Sequence, residues 1–334
     1  MSGKPTITDI AMLAGVSRAT VSRVLNGTAK VTDATADAVN AAITQTGYIV
    51  NAQARALSLG RTNLFGVILT EPFDELYEDP TYAAIMRGIN SALSESEISP
   101  VLFQAYTESE RSKAAQIMRR GAIDALIHLS PFDDLEGLET MRDVPIPVVM
   151  CGQIMGADFT DVFSCVYADD VVGAEIAARH VQELDRRNIA MILGAKDAPA
   201  THDRLIGYRN LLGSLITDDH IRYGQWDQLT GSRAMADLRE VDPGIDMLIC
   251  GSDRIAAGTL DLLRARGIRV PEDISIIGFD DHRIAVQTDP PLTAIAQPLF
   301  QQGATAVQLA LDMITGAPAR TVVLDMELKK RATT

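Results

Sequence analysis

The segment from Thr6 to Gly27 most constrains what this chain can fold into, because it predicts two short helices joined by one tight turn. Thr6 is placed to cap the first helix, with Asp9 three residues on as its capping-box partner, and Gly15 supplies a left-handed stop. Ser17 caps the second helix, whose exposed face carries small, hydroxyl and arginine side chains. This pattern is typical of a helix-turn-helix, which places its second helix in the DNA major groove.

A third helix is predicted between a Thr32 cap and a Gly47 stop. The three helices are expected to close a small core through one apolar face each: Ile10, Leu13 and Ala14; Val21, Val24 and Leu25; Ala36, Val39 and Ile43.

The stretch from Asn51 to Gly60 has high helix propensity but a length of only about two turns, which is marginal for an isolated helix in water. It is therefore interpreted as a linker that becomes helical on DNA, beside its partner chain.

Charge is distributed unevenly along the chain. The net charge is −14, yet residues 1–63 hold six Lys or Arg against three Asp, a local +3 that leaves −17 on the remainder. A local basic face suits phosphate contact, and an acidic body disfavours any docking on DNA except through the N-terminal part.

From Leu64 onward, apolar strands alternate with helices, which indicates parallel, doubly wound sheets. This segment of about 270 residues is too long for a single sheet with its covering helices, so two lobes with a cleft between them are predicted. The predicted elements include a strand Ile221–Trp226, a helix Asp203–Leu215 opened by Arg204, and one final strand over 321–329. The fold class is thus a small all-α headpiece plus a two-lobed α/β core, divided as headpiece 1–50, linker 51–63 and core 64–334.

Several function classes are disfavoured. The chain has three widely spaced cysteines, no apolar N-terminal segment and no apolar run near the roughly 18 residues of a membrane helix, so a cytoplasmic protein is expected. It has no P-loop and no Gly-x-Gly-x-x-Gly, and its five histidines show neither metal spacing nor a nucleophile pair. No enzyme activity, cofactor or metal is predicted.

The motifs of the whole chain resemble those of the LacI family of bacterial transcription regulators. The matching segments are Thr6–Ala11, Ala14–Ser17, Thr20–Gly27, Gly47–Tyr48, Asn51–Leu57, Arg61–Ile68, Arg204–Tyr208, Val270–Asp281, Pro290–Thr293 and Gln297–Pro298. The resemblance implies a periplasmic-binding-protein-like effector domain, dimers or tetramers, palindromic operator DNA, and effectors such as sugars or nucleobases.

The predicted DNA-contacting residues lie on the second helix, at helix ends and in the linker. Arginine can donate two hydrogen bonds to guanine, and small polar groups at helix ends suit phosphates. The resemblance implies that Leu57 wedges into the minor groove. The complete set is Ser17, Arg18, Ala19, Thr20, Ser22, Arg23, Asn26, Thr35, Tyr48, Asn51, Ala54 and Leu57.

The predicted effector residues rest on two grounds: ligands of α/β sheets bind beyond the carboxyl ends of strands, and the resemblance implies that Tyr82, Arg204, Trp226 and Asp280 stand at effector positions of the family. Asp280 can accept from sugar hydroxyls, Arg204 can donate to them, and Trp226 can stack on a sugar ring. The complete set is Tyr82, Arg204, Trp226, Ser252, Asp280 and Gln297. The chain departs from many sugar-responsive members in having Ser252 for Asn and Cys151 for Asp.

These features predict a repressor of a carbohydrate-utilisation operon, controlled by a sugar-like effector bound between the lobes. The short segment after Lys329 favours a homodimer over a tetramer. The alternatives are a regulator responding to a nucleobase or other metabolite, and a solute-binding receptor without a DNA role; the basic headpiece disfavours the receptor.

Overall fold

The computed structural model describes residues 5–26, 31–49, 60–72, 77–129, 135–153, 159 and 161–334. The predicted linker helix, with Asn51, Ala54 and Leu57, lies outside these ranges.

The N-terminal residues form the predicted headpiece from three helices: α1 (Ile7–Leu13), α2 (Arg18–Asn26) and α3 (Asp33–Thr46). The Asp9 carboxylate accepts hydrogen bonds from the Thr6 backbone and hydroxyl at 2.8 and 2.7 Å, which closes the capping box of α1. Gly15 and Gly47 follow α1 and α3 with φ of 66° and 63°, left-handed values that glycine adopts without steric cost. Among the described headpiece residues, the buried core consists of Ile10, Ala11, Val21, Val39 and Ala42.

The prediction that Leu13 lies in this core is wrong, because its side chain is 50% exposed. The buried face of α1 instead follows the spacing Ile7, Ile10, Ala11 and Ala14. At 3.6 residues per turn, Leu13 lies roughly a third of a turn away from the centre of that face.

The core contains two six-stranded sheets, one in each lobe, as the alternation predicted. The first lobe has the order β11-β5-β4-β3-β1-β2, and the second has β12-β10-β9-β8-β6-β7. All neighbours pair in parallel except β10 and β12. The strands are β1 (Leu64–Leu69), β2 (Ser99–Gln104), β3 (Ala125–Leu129), β4 (Val148–Cys151), β5 (Ser164–Ala168), β6 (Ile189–Leu193), β7 (Ile221–Tyr223), β8 (Met247–Cys250), β9 (Ser275–Asp280), β10 (Thr293–Ala296), β11 (Thr321–Leu324) and β12 (Glu327–Lys329).

Helices cover both sheets and pack in close pairs. The first lobe carries α4 (Pro80–Leu93), α5 (Glu108–Arg119), α6 (Leu135–Arg142) and α11 (Leu299–Ile314). The second carries α7 (Asp170–Glu183), α8 (Pro199–Leu212), α9 (Gln228–Val241) and α10 (Asp253–Ala265). Helices α4 and α11 meet at two glycines: a Cβ on Gly88 would lie 2.0 Å from the Phe300 carbonyl oxygen, and one on Gly303 would lie 2.1 Å from that of Ile85.

The C-terminal strand differs from its prediction. Residues 321–329 form two strands in different sheets: β11 pairs with β5 in the first lobe, and β12 pairs with β10 in the second. The chain therefore crosses between the lobes after β5, after β10 and after β11. Because the pairing partners β5 and β10 are distant in sequence, the local apolar pattern did not show the break.

Candidate functional site

The predicted DNA-reading residues lie on α2 and at its N-terminal end, which is capped. The Ser17 hydroxyl accepts from the Thr20 backbone N–H at 3.1 Å and lies 2.9 Å from the Thr20 hydroxyl. Arg18, Ala19 and Arg23 are exposed, whereas Thr20 and Ser22 are half-buried. The arginine side chains therefore lie on the outer surface of the headpiece, and Ser17 caps the helix.

Of the other headpiece residues predicted to contact phosphates, Thr35 and Tyr48 make contacts within the headpiece itself. The Thr35 hydroxyl lies 2.9 Å from that of Thr32, the residue that caps α3. Tyr48 is half-buried and packs against the headpiece core. Asn26 ends α2, and the position of its side chain is not described.

A cleft of about 660 Å³ lies between the two lobes, and all six predicted effector residues line it. It opens at the carboxyl ends of the strands, since Cys151 and Asp280 end β4 and β9, and Ser252 follows β8. Tyr82 comes from α4 of the first lobe, and Gln297 comes from the crossover after β10. The fold thus brings together residues separated by more than 200 positions in the sequence.

Arg204 is the centre of a buried charge network on the second-lobe wall. Its Nε donates to Asp170 Oδ1 at 2.7 Å, its Nη2 lies 3.5 Å from Asp280 Oδ1, and its Nη1 donates to the Gly251 carbonyl. Its guanidinium also lies 3.7 Å from the centroid of the Phe279 ring. Three of its five N–H groups are thus used within the protein, which leaves two that can donate to a ligand.

Burial and charge compete within this network. Burial raises the pKa of Asp170, and the neighbouring Arg204 only partly offsets that rise. Burial alone would lower the pKa of Arg204, but Asp170 and Asp280 together hold it above its usual value. The guanidinium therefore stays charged and fixed in direction, as a residue that orients a polar ligand requires.

Asp280 lies in a backbone conformation that is unusual for a residue with a side chain. It ends β9 with φ of 102°, and the next residue, Asp281, has φ of 56°. Its Oδ1 accepts from Gln297 Nε2 at 2.6 Å, and its Oδ2 lies 3.7 Å from His282 Nε2. Backbone strain of this kind is found preferentially at functional sites, where it directs a side chain toward a ligand.

Trp226 lies in the loop after β7, because that strand ends at Tyr223 and not at Trp226 as predicted. Its ring packs on the backbone of Gly194, where a Cβ would lie 2.2 Å from the indole. The Arg204 guanidinium lies 5.5 Å from the ring centroid. The aromatic ring is thus held at the cleft wall beside the polar network.

Other placements differ from the sequence-based expectation. Arg204 lies in the second turn of α8 and does not open the helix, which begins at Pro199 because proline suits the first helical position. The Ser252 hydroxyl accepts from the Ile255 backbone N–H at 3.2 Å and so caps α10. That hydroxyl keeps one donor for a ligand. Tyr82 is 8% exposed at the cleft.

Sequence reasoning missed several cleft residues. Asp170 was the most important, and its signal was the Asp169-Asp170 pair at the start of a predicted helix. Tyr106, Arg111, Asp197 and Arg254 also line the cleft and were missed. Cys151 also lines the cleft, and burial raises the pKa of its thiol to about 12, so it is a neutral, weakly polar part of the wall.

The described residues show no group of three His, Cys, Asp or Glu side chains arranged to hold a metal ion. Among the helices within those ranges, none is both long and apolar enough to cross a membrane.

Comparison with known proteins gives two family matches. Residues 6–51 match the family described as bacterial regulatory proteins, lacI family, and residues 178–334 match a periplasmic binding protein-like domain. The transcriptional regulator CelR of Thermobifida fusca is 34% identical over 327 residues, covering 97% of this chain and 96% of its own.

Solved structures agree with this assignment. A CelR–cellobiose complex aligns with a TM-score of 0.74 at 32% identity and covers 99% of this chain and 100% of its own. The lac repressor dimer bound to operator and an anti-inducer has the same fold, with a TM-score of 0.85 at 24% identity and 99% of each chain covered. The chain is a DNA-binding transcription regulator and belongs to the LacI family of bacterial regulatory proteins.

Proposed function

We propose that this protein is a repressor of a carbohydrate-utilisation operon whose DNA binding is controlled by a sugar in the cleft between the lobes. The observation that carries this proposal is the convergence of Tyr82, Arg204, Trp226, Asp280 and Gln297 on one cavity from distant parts of the chain. Most of these residues are polar and partly committed to one another, as in a preformed ligand site.

The chemistry of the cleft favours a polyhydroxylated ligand. Asp280 offers acceptor oxygens, Arg204 and Gln297 offer oriented donors, and Trp226 offers an apolar ring face. A sugar presents this combination, with hydroxyls at the ring edge and C–H groups on its faces. The cellobiose seen in the CelR complex supports a sugar as the effector here.

The headpiece is proposed to read double-stranded palindromic operator DNA. Arg18 and Arg23 would contact base edges with Ala19 and Ser22 beside them, while Ser17, Thr20, Asn26, Thr35 and Tyr48 would contact the backbone. Asn51, Ala54 and Leu57 lie outside the described residues, and their roles in the linker stay predictions. The domain division at residues 50 and 63 is part of the same proposal.

Control of DNA binding requires two states with different effector affinity. The protein is proposed to act as a homodimer in the cytoplasm, where its operator lies, with two headpieces reading two half-sites. Lobe closure would set the spacing of the two linkers. The effector shifts that equilibrium by its differential affinity for the two states.

Calorimetric titration of the full chain with cellobiose, glucose, adenine and guanine tests the effector assignment. A sugar that binds and changes the affinity for an operator found by binding-site selection supports the proposal. Binding of a nucleobase instead would replace the sugar with the alternative effector class. A protein that selects no DNA sequence would contradict the regulator role.

A further inference from the structure

Two side chains of the second lobe contact the first lobe at one edge of the cleft. Arg254, in the first turn of α10 in the second lobe, lies with its Nη2 3.2 Å from Asp79 Oδ2 and its Nη1 3.2 Å from the Glu78 carbonyl. His282 Nε2 of the second lobe lies 3.2 Å from the Thr81 hydroxyl of the first. The four side chains of Asp79, Thr81, Arg254 and His282 are named here the interlobe bridge.

Each end of the interlobe bridge is held by its own lobe. Asp79 caps α4 through Oδ1, which accepts from the Thr81 backbone N–H at 2.8 Å, so its other oxygen is left for Arg254. On the opposite side, the His282 backbone N–H donates to Asp253 Oδ2 at 2.6 Å. That bond ties the start of α10 to the segment after β9. The bridge thus joins two locally ordered surfaces.

The bridge residues lie on the same short segments as the effector residues. Arg254 comes two positions after Ser252, and His282 comes two positions after Asp280. His282 Nε2 is also 3.7 Å from Asp280 Oδ2, so one imidazole nitrogen faces both the other lobe and the effector site. A ligand that holds Ser252 and Asp280 therefore also restricts the residues that hold the first lobe.

We propose that Arg254 and His282 are positioning residues that hold the lobes in the closed state and thereby link effector occupancy to lobe closure. This inference rests on the proposed function for its effector, but not for its structural part. Breaking the bridge lowers the closed population, and the apparent effector affinity falls with that population. Loss of a partly exposed ion pair of this kind changes the equilibrium constant between the open and closed states by about two- to fivefold.

Loss of the bridge should also change operator affinity in a defined direction. The effector drives the protein toward the closed state, whereas loss of the bridge drives the free protein away from it. The operator affinity of the effector-free variant should therefore move in the direction opposite to the change that effector produces in the wild type. A residue that merely supports the fold would not produce this reversal.

The test uses Arg254→Met, which removes the guanidinium and keeps an apolar stem. Arg264→Met is the matched control, because Arg264 is on the same helix and pairs with Asp289 within the second lobe. Spin labels on Glu95→Cys and Glu240→Cys report the distance between the lobes by electron spin resonance. The three native cysteines are buried, so the two introduced thiols are the accessible labelling sites.

In the absence of ligand, Arg254→Met should populate longer interlobe distances than wild type or Arg264→Met, and cellobiose should bind it about two- to fivefold more weakly. Thr81→Val should act in the same direction. Equal distance distributions in Arg254→Met and Arg264→Met would overturn the inference. So would weaker cellobiose binding without a change in the ligand-free distances, because Arg254 would then be only a ligand contact. If cellobiose fails to bind wild type, cellobiose is not the effector, while the ligand-free distances still decide the bridge.

Discussion

The most direct test of the proposed effector site is Asp280→Asn. Asparagine tolerates positive φ better than most residues, so it fits the φ of 102° at this position, and its amide oxygen can still accept from Gln297. The substitution therefore removes the negative charge while keeping the shape of the site. Asp281→Asn is the matched control, since Asp281 has φ of 56° and pairs with Arg331.

The size of the effect follows from the contacts of Asp280. Its side chain is buried, and hydrogen bonds to charged groups contribute about 1.5–3 kcal/mol. Because asparagine keeps one acceptor, we expect the lower end of that range, which is about a tenfold loss of effector affinity. Breaking a buried ion pair can cost about 3–5 kcal/mol when a charge is left unpaired, but Arg204 keeps Asp170 at 2.7 Å. Folding stability should therefore change little.

Calorimetric titration of wild type, Asp280→Asn and Asp281→Asn with the effector measures the first effect, and thermal unfolding measures the second. Equal effector affinity in Asp280→Asn and wild type would refute the assignment of Asp280 as a ligand acceptor. A large loss of stability in Asp280→Asn alone would show that Asp170 does not compensate Arg204.

Three further predictions concern other parts of the molecule. Arg23→Ala should weaken binding to the selected operator by about 1–3 kcal/mol and relax the preference at one base position, as measured by binding-site selection; an unchanged preference would contradict base contact. Gly303→Ala should lower the free energy of unfolding of the core by about 1–3 kcal/mol, because the new Cβ would lie 2.1 Å from the Ile85 carbonyl oxygen. An unchanged free energy of unfolding, measured by thermal denaturation, would show that α4 and α11 can move apart. Burial and the nearby Asp280 raise the pKa of Asp253 well above its usual value, so the contribution of Asp253 gives folded-state stability a downward slope as pH rises from the unfolded-state pKa near 3.8 through the raised folded-state pKa. Asp253→Asn, which is neutral at every pH, should remove that slope in unfolding measured across this pH range, and an identical slope in the variant would place its origin elsewhere.

Local signals in the sequence were strong enough to predict many elements and their ends. The Thr6–Asp9 pair, the Ser17 cap and the stops at Gly15 and Gly47 all depend on residues within one helical turn, and the structure has each of them. The failure at Leu13 came from choosing one apolar face of a short helix when another, through Ala11, was available. A helix of two turns has too few positions for its spacing alone to select the face.

The cleft was predictable in its parts more than in its connections. Strand ends and family motifs indicated Asp280, Arg204 and Trp226 as cleft residues, and all three line it. The same reasoning could not show that three of the five N–H groups of Arg204 are hydrogen-bonded to Asp170, Asp280 and the Gly251 carbonyl. Those partners lie 34 to 76 positions away, and no local pattern reports which distant carboxylate a guanidinium will meet.

The sequence by itself determined the class of this protein: a DNA-reading headpiece joined to a two-lobed α/β core, because helix caps, glycine stops and apolar periodicity act over a few neighbouring residues. Only the tertiary structure decided how the lobes are connected and held. Residues 321–329 divide between two sheets, and Arg254 and His282 reach Asp79 and Thr81 across the cleft. Strand partners and interlobe contacts join residues that are distant in sequence. They are therefore selected by the packing of the whole chain, and no local periodic pattern in the sequence indicates them.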